Sequence, residues 1–275
     1  MPLDQVHISP LDRGFLFGDG VFELIPSYGK QLFRPQHHIQ RLLNSLESIY
    51  LPSPYDAQHW LNLLQQLVAL NPQQNQTLYL QVTRGVEAKR DHAIKAETQP
   101  TVFIMSTAMD KPSLSSLDTE QGIDAITHQD SRWQHCNIKS NSMLGNILLR
   151  HQSTLQGASE TILIRDGKVT EGTSSNVFVV TEGCLATPPL NQYLLGGVTR
   201  DLILELAQQN HIPVVQENLS ENQLFSAQEV WITSSSVGIR PVVRLDRQVI
   251  ADGNPGQLWR KLAQCFIEYR HSLMA

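Results

Sequence analysis

The sequence contains few cysteines and no long apolar run, and each absence excludes a class of protein. Its three cysteines are widely spaced and form no Cys-x-x-Cys pair, which argues against a disulfide framework and against a zinc ribbon. The pairs His37–His38 and His135–Cys136 are adjacent residues rather than ligands one helical turn apart, so we expect no metal site. No apolar run is long enough to span a membrane, and the chain does not open on a secretion signal. We therefore expect a cytoplasmic protein that does not span a membrane.

The charge is mild and dispersed, and glycine-rich phosphate loops are missing. A net charge of -5 without a basic cluster argues against a nucleic-acid surface and against a membrane-binding face. No glycine-rich loop of the Rossmann or Walker kind occurs. The expected partner is therefore a small molecule.

The length and the apolar content limit the number of domains. With 275 residues, of which 41% are hydrophobic, the chain can form one large or two moderate domains. Residues 111–122 are rich in Pro, Ser, Leu and Asp, a composition typical of a linker. We therefore predict a smaller N-terminal domain in residues 1–110 and a larger C-terminal domain in residues 123–275.

Helix and strand patterns alternate through most of the chain. The predicted helices are one that begins at Pro35 and those at residues 56–70, 142–156, 199–209 and 256–269. The predicted strands are residues 77–83, 101–105, 161–164, 168–170 and 229–233, followed by a hairpin over 242–250. Asp166-Gly167 marks the turn between two of these strands.

Lys139 lies in a half-apolar segment, with Trp133, Cys136 and Ile138 before it and Met143 after it. An ordinary lysine in such a place packs its stem on apolar surface and keeps its ammonium in water. Partial desolvation would instead lower the pKa of the amine, so that it could act as a nucleophile or form a Schiff base. The local sequence leaves both interpretations open.

A second polar stretch, residues 171–176, lies between strand-like runs and reads Glu-Gly-Thr-Ser-Ser-Asn. It supplies the Glu171 carboxylate and small hydroxyl donors, among them Ser174 and Ser175, where backbone can approach a ligand closely. A lysine and a carboxylate are what a pyridoxal 5'-phosphate site requires, the first to hold the aldehyde and the second to keep the ring nitrogen protonated. A polar turn without function has the same local sequence, so the pattern indicates this cofactor without establishing it.

A series of motifs carries a resemblance that runs from Leu11 almost to the C-terminus. The motifs are residues 12–23 (DRGFLFGDGVFE), Arg41, residues 90–92 (RDH), 132–133 (RW), 138–140 (IKS), 171–176, 197–201 (GVTRD) and 233–236 (TSSS). In this order they resemble the fold-type IV pyridoxal phosphate enzymes, which include D-amino-acid aminotransferases, branched-chain aminotransferases and aminodeoxychorismate lyases. The resemblance implies a two-domain α+β fold, a smaller α/β domain followed by a larger mixed β domain with helices, with the cofactor between them.

The resemblance also assigns roles to residues of the cofactor site. Lys139 would form the Schiff base and, as the free amine, would move the substrate proton, while Glu171 would face the ring nitrogen. Arg41, whose planar guanidinium suits a phosphate, would bind the cofactor phosphate. Glycines before a helix leave free N–H groups for an anion, so Val198 and Thr199 would bind the phosphate as well.

A further group of residues is expected at the substrate. Arg90 and His92 are two residues apart in an extended loop and therefore point the same way. This loop resembles the one that, in D-amino-acid aminotransferases, receives the substrate carboxylate from the neighbouring subunit, so we expect a homodimer. Phe22 is expected to line the substrate site. Small donors that we place at the phosphate or the substrate carboxylate are Ser234, Ser235 and Ser236.

The expected reaction is transamination of a D-amino acid with 2-oxoglutarate or pyruvate as the oxo acid. Phe22, however, stands where D-amino-acid aminotransferases usually have a tyrosine, and phenylalanine is common there in aminodeoxychorismate lyases, which release 4-aminobenzoate and pyruvate. The His-Leu-Asn-Arg type run that usually follows the lysine of those lyases is absent after Lys139. A branched-chain aminotransferase is a third possibility. A non-catalytic binding protein is a fourth, against which the intact Lys139 and Glu171 argue.

The lead before the first motif is short. Only eleven residues precede Asp12, whereas the superfamily usually has a longer, strand-forming lead. Either an edge strand of the smaller domain is absent, or the given start is internal.

Overall fold

The computed structural model describes residues 2–109, 117 and 120–274. The chain forms two compact units, which are described separately below. The first comprises Met1–Asp110, Ile138–Met143 and Met274, and the second comprises Lys111–Asn137, Leu144–Leu273 and Ala275. The segment Ile138–Met143 therefore groups with the first unit, although we had placed it in the C-terminal domain. Most of the predicted linker 111–122 lies outside the described residues.

The first unit is a four-stranded antiparallel sheet with helices. The strand order is β2-β1-β3-β4. The elements are α1 (Arg13–Phe17), β1 (Gly20–Tyr28), β2 (Gln31–Leu32), α2 (Pro35–Ser48), α3 (Ala57–Leu70), β3 (Gln76–Thr83) and β4 (Thr101–Ala108). The helices and strands predicted in this part of the sequence are thus confirmed, with small differences at their ends.

The core of the first unit lies between one face of this sheet and two helices. Alternate residues of β1 and β3 are buried, because successive side chains of a strand point to opposite faces. The cluster that they form with the helices consists of Val21, Ile25, Leu78, Leu80 and Val82 from the strands and Ile39, Leu42, Leu46, Trp60 and Leu64 from the helices. The Asp56 carboxylate accepts a hydrogen bond of 2.7 Å from the His59 N–H and caps the second of these helices.

The second unit is built on a nine-stranded mixed sheet with the strand order β10-β9-β8-β11-β12-β5-β6-β7, to which β13 adds on β12. Its strands are β5 (Ile123–Gln129), β6 (Glu160–Arg165), β7 (Lys168–Gly172), β8 (Asn176–Thr181), β9 (Cys184–Thr187), β10 (Val214–Gln216), β11 (Glu229–Ser234), β12 (Gly238–Leu245) and β13 (Gln248–Val249). Its helices are α4 (Leu144–Leu155), α5 (Val198–Gln209), α6 (Glu221–Phe225) and α7 (Gln257–Ser272). The predicted α+β class is confirmed.

Helix α4 begins two residues later than predicted. We expected a helix over 142–156, but residues 142 and 143 group with the first unit, and the Ser142 hydroxyl donates a hydrogen bond of 3.0 Å to the Gly18 carbonyl. Gly157 follows the helix with a φ of 72°, the left-handed conformation that ends many helices. Within the described part of the chain, no helix is both long enough and apolar enough to cross a membrane.

Candidate active site

The backbone around Lys139 is bonded to the beginning of β1. The Phe22 N–H donates to the Lys139 carbonyl at 2.9 Å, and the Asn141 N–H donates to the Gly20 carbonyl at 3.1 Å. These bonds explain why this segment groups with the first unit. They also place the lysine ammonium over the Phe22 ring, 4.3 Å from the ring centroid, where the π electrons attract a cation. Lys139 and Phe22, both predicted site residues, are thus neighbours.

Arg41 is bonded to a buried carboxylate on β1. The Glu23 side chain is completely buried and accepts hydrogen bonds from Arg41 Nε at 2.7 Å and from Arg41 Nη2 at 2.8 Å. His38 Nδ1 lies 2.8 Å from the second carboxylate oxygen. Burial tends to raise the pKa of Glu23, but the Arg41 charge and these hydrogen bonds hold it well below its usual value. Arg41 is therefore fixed by an ionised carboxylate.

His38 is the third member of this cluster. Burial lowers the pKa of its imidazole, and the Glu23 carboxylate opposes that shift only in part. A neutral imidazole that donates from Nδ1 to Glu23 satisfies this geometry. Glu23 and His38 were not predicted as site residues, although the sequence contains two signals for them. Glu23 has the strand parity of the core residues Val21 and Ile25, and His38 precedes Arg41 by about one helical turn.

Arg90 and His92 lie in an exposed loop that packs against α1 of the same chain. The Arg90 guanidinium lies 4.8 Å from the centroid of the Phe17 ring, and the His92 ring lies 5.1 Å from it. Arg13 Nη1 donates to the Asp91 carbonyl at 2.6 Å, which fixes the loop between the two predicted residues. Their contact with a neighbouring subunit stays a prediction.

Glu171 lies on β7 in the second unit and is buried. Each of its carboxylate oxygens accepts one hydrogen bond, Oε1 from Arg132 Nη1 at 2.7 Å and Oε2 from the Leu195 N–H at 2.9 Å. Burial raises the pKa of Glu171 to about 7, while the Arg132 charge acts in the opposite direction. The carboxylate therefore has a fixed orientation, and its pKa lies near neutral pH.

Arg132 is fixed in turn by Asp130. Its Nε donates to Asp130 Oδ1 at 2.9 Å and its Nη2 donates to Asp130 Oδ2 at 3.0 Å, so one guanidinium bridges two carboxylates. Arg165 Nη2 lies 3.1 Å from the same Asp130 oxygen. From the sequence, Arg132 was predicted only as part of a motif, and Asp130 had no predicted role. The signal that pointed to them was the pair of opposite charges two residues apart at the end of a strand-like run.

The turn after Glu171 is fixed by the buried carboxylate of Glu160. The Ser175 hydroxyl donates to Glu160 Oε2 at 2.8 Å, and the N–H and hydroxyl of Thr173 both donate to Glu160 Oε1. Ser174 is exposed at the tip of the turn. The predicted donor Ser175 is thus bonded within the protein, and Glu160 is another site residue that our sequence analysis missed.

The beginning of α5 has unsatisfied hydrogen-bonding groups. Its N-cap residue, Gly197, makes no side-chain capping bond. The buried hydroxyls of Thr199 on α5 and Thr233 on β11 have no hydrogen-bond partner within the described part of the chain. Buried hydroxyls without partners are unfavourable, whereas a helix N-terminus with free N–H groups and hydroxyls suits a phosphate. These groups therefore fit the phosphate of the cofactor that the sequence indicates.

The three serines at the end of β11 lead into a turn. The Ser234 hydroxyl lies 3.0 Å from the Ser236 hydroxyl and accepts a hydrogen bond of 3.2 Å from the Val237 N–H. Ser234 and Ser235 are partly buried, and Ser236 is exposed. In the described residues, no cluster of histidine, cysteine and acidic side chains could hold a metal ion.

The predicted residues are divided between the two units. The first unit contains Lys139, Phe22, Arg41, Arg90 and His92, of which Lys139 and Phe22 are in contact. The second unit contains Glu171, Ser174, Ser175, Val198, Thr199, Ser234, Ser235 and Ser236. Each unit therefore carries part of the chemistry that pyridoxal phosphate requires, the amine in the first and the buried carboxylate and anion-binding groups in the second.

Comparison with known proteins identifies the family. The family model for amino-transferase class IV matches residues 20–245. The chain is 36% identical over 270 residues to a D-alanine aminotransferase of Staphylococcus haemolyticus. This match covers 98% of this chain and 94% of that protein. It superposes with a TM-score of 0.91 and 23% identity on the Escherichia coli branched-chain amino acid aminotransferase, over 98% of this chain and 91% of that one.

A further superposition is with a second branched-chain amino acid aminotransferase, from T.th., which was solved with pyridoxamine 5'-phosphate. It has a TM-score of 0.90 and 21% identity over 99% of this chain and 92% of that one. The fold is therefore the one that the resemblance implied. The chain belongs to the class IV aminotransferases, a family of pyridoxal phosphate enzymes.

Proposed function

We propose that this aminotransferase moves the amino group of a D-amino acid to 2-oxoglutarate or pyruvate. The observation that carries the proposal is its similarity over nearly the whole chain to D-alanine aminotransferases, of which the Staphylococcus haemolyticus protein is 36% identical. The groups described above agree with it, because they supply an amine, a carboxylate for a ring nitrogen and donors for a phosphate.

The residues have separate tasks in this proposal. Lys139 Nζ would hold the cofactor through its amine and, when free, would accept the proton from the substrate Cα as a general base. Glu171 would hold the ring nitrogen of the cofactor by a hydrogen bond. When bound, pyridoxal phosphate supplies an electron sink for the negative charge that develops at Cα.

The remaining residues bind and orient. Arg41, fixed by Glu23, pairs with the phosphate together with the N–H groups of Val198 and Thr199. Ser174 is a further donor to the cofactor, and Ser175, whose hydroxyl is bonded to Glu160, holds the turn beside it. Donors to the phosphate or to the substrate carboxylate are Ser234, Ser235 and Ser236. Arg90 and His92 receive the substrate carboxylate at the site of a second copy of the chain.

Phe22 supports a second candidate function. Its ring lies against the lysine ammonium and offers no hydroxyl to a substrate carboxylate. This feature favours 4-amino-4-deoxychorismate lyase, which releases 4-aminobenzoate and pyruvate. Branched-chain aminotransferase is the third candidate.

One assay separates the candidates. The holoenzyme is mixed with D-alanine and 2-oxoglutarate, or with aminodeoxychorismate, and pyruvate is measured; L-leucine with 2-oxoglutarate forms a third reaction, followed as glutamate. We expect the wild-type enzyme to form pyruvate from D-alanine. We expect Lys139→Ala to form no pyruvate and to lack the visible absorption of the lysine-bound cofactor. Pyruvate from aminodeoxychorismate alone would identify the lyase, and glutamate from L-leucine alone would identify the third candidate. A wild-type protein that binds the cofactor and turns over none of these substrates would favour a non-catalytic binding protein.

We propose in addition that the active form is a homodimer. Helix α4 exposes Leu144, Ile147, Leu148 and Leu155, with exposed fractions of 56% to 68%. These positions recur at helical spacing and form one apolar stripe, which a soluble chain normally covers. A second copy of the chain would cover the stripe. The cytoplasmic location stays a prediction.

A further inference from the structure

A proton shared between the Glu171 carboxylate and the ring nitrogen of the cofactor has two positions, one on each partner. A carboxylate that faces a ring nitrogen forms either an ionised pair, with the proton on nitrogen, or a neutral pair, with the proton on oxygen. Both pairs contain the same number of protons. Only the first gives a cationic ring, so the position of this proton determines how well the cofactor withdraws electrons.

Burial alone favours the neutral pair. Glu171 is 5% exposed, and a buried environment stabilises the form without charges. Even with Arg132 in contact, burial raises the pKa of Glu171 to about 7. The nearby thiol of Cys136 adds no negative charge, because burial raises its pKa to about 11. A cation next to Glu171 is therefore needed to keep the carboxylate ionised.

The position of Arg132 meets this need. Its Nη1 lies 2.7 Å from Glu171 Oε1, and its other two nitrogens are bonded to Asp130, so the guanidinium cannot turn away without breaking two bonds. The charges alternate along the cluster as Glu171, Arg132, Asp130 and Arg165. Removal of Arg132 would leave Glu171 next to the second carboxylate of the cluster without the cation between them.

We infer that Arg132 is a positioning residue that keeps the shared proton on the ring nitrogen of the cofactor, and that Asp130 holds Arg132 in place for this task. The inference rests on the proposed role of Glu171 as the partner of that nitrogen. Arg132 acts through Glu171 and contacts neither substrate nor cofactor in this assignment.

The test reads the proton directly. Apoenzyme is reconstituted with pyridoxal phosphate labelled with ¹⁵N in the ring, and the nitrogen spectrum separates a pyridinium from a neutral pyridine. We expect a pyridinium signal in the wild-type enzyme and in Arg132→Lys, which keeps the charge. In Arg132→Met we expect that signal to be lost and a pyridine signal to replace it.

Arg165→Met is the matched control. It removes a guanidinium from the same Asp130, but Arg165 donates its hydrogen bonds to Asp130 and to the carbonyls of Arg132 and Trp133 rather than to Glu171. We expect its pyridinium signal to persist. If Arg132→Met does not fold, Asp130→Asn/Arg132→Met removes both buried charges together and should give the same pyridine signal.

A pyridinium signal that survives in Arg132→Met or in the double variant overturns the inference. Equal loss of the pyridinium signal in Arg132→Met and Arg165→Met overturns it too, because the total charge of the cluster, rather than Arg132, would then determine the proton position. A wild-type enzyme without a pyridinium signal contradicts the proposed role of Glu171 itself. The expected signals together with no pyruvate from D-alanine would contradict the proposed reaction and leave the role of Arg132 supported.

Discussion

Glu23 and Glu171 are both buried carboxylates next to an arginine, yet their pKa values move in opposite directions. Burial acts on both, but Glu23 receives two hydrogen bonds from Arg41 and faces His38 as well, so its pKa is lowered. Glu171 receives a single bond from Arg132, which also serves Asp130, and its pKa is raised to about 7. The number of hydrogen bonds that the carboxylate receives from its arginine, and whether that arginine serves a second carboxylate, thus decide which buried carboxylate is firmly ionised.

The raised pKa predicts a pH dependence of stability in the cofactor-free protein. From its ordinary value of 4.5 to about 7, folded Glu171 holds a proton that the unfolded chain has released, so its contribution to stability decreases as the pH rises through this range. The shift corresponds to about 3 kcal/mol. We expect the free energy of unfolding of Glu171→Gln to rise by up to this amount relative to that of the wild type between pH 4.5 and 7.5. Denaturant unfolding of both proteins measures this difference. A difference that stays constant across this range would contradict the assigned pKa.

Single-residue features could be predicted from the sequence only in part. Lys139 and Glu171 were recognised because their motifs are local and specific. Arg132, Glu160 and Glu23 were not, because their roles come from partners distant in sequence, such as Glu171, which lies 39 positions after Arg132. Asp130 was not, because its role depends on that of Arg132, which it holds. Periodicity identifies apolar positions, but it does not identify the partner of a buried charge.

The N-terminus of α5 carries hydrogen-bond donors that could bind an anion, among them the buried hydroxyl of Thr199. A buried hydroxyl without a partner is unfavourable in the unliganded protein, so Thr199→Val should leave the free energy of unfolding of the apoprotein unchanged or raise it. The same substitution removes a donor from the proposed phosphate site and should weaken cofactor binding about tenfold, or about 1.4 kcal/mol. Equilibrium titration of the apoprotein with pyridoxal phosphate measures the second effect.

Thr187→Val provides the matched control. This buried hydroxyl donates a hydrogen bond of 2.7 Å to the Val177 carbonyl, so its loss should destabilise the apoprotein by about 1 kcal/mol and leave the cofactor affinity unchanged. Equal affinities for Thr199→Val and the wild type would show that the Thr199 hydroxyl is not part of the phosphate site.

Most elements could be predicted from the sequence, since the helices α2, α3, α5 and α7 and the strands β3 and β11 have regular apolar spacing. The start of α4 could not. The helix was predicted from residue 142, whereas residues 142 and 143 group with the first unit and the Ser142 hydroxyl is bonded to Gly18. Strands of two or three residues, such as β2 and β10, are too short to show a period.

At the scale of the whole molecule, the apolar stripe of α4 predicts the association state. Ile147 and Leu148 lie next to each other in the stripe and are 59% and 56% exposed. Ile147→Asp/Leu148→Asp would place two charges in the proposed interface, so we expect sedimentation to show a dimer for the wild type and a monomer for the variant.

Leu70→Asp is the control, because Leu70 is 82% exposed and ends α3, away from the stripe in sequence and in a different unit. It should remain a dimer. A wild-type monomer with full activity would contradict the dimer proposal and the role of Arg90 and His92 at a neighbouring site.

The placement of Lys139 has a consequence for how the chain can be divided. The residue is encoded within the second half of the sequence, but its backbone completes the hydrogen bonding of a strand in the first. A fragment that ends at residue 110 would leave the Phe22 N–H and the Gly20 carbonyl without these partners, and the remaining piece would carry the lysine without the strand that holds it. The two units therefore cannot be produced separately, or exchanged between relatives, by a single cut in the gene.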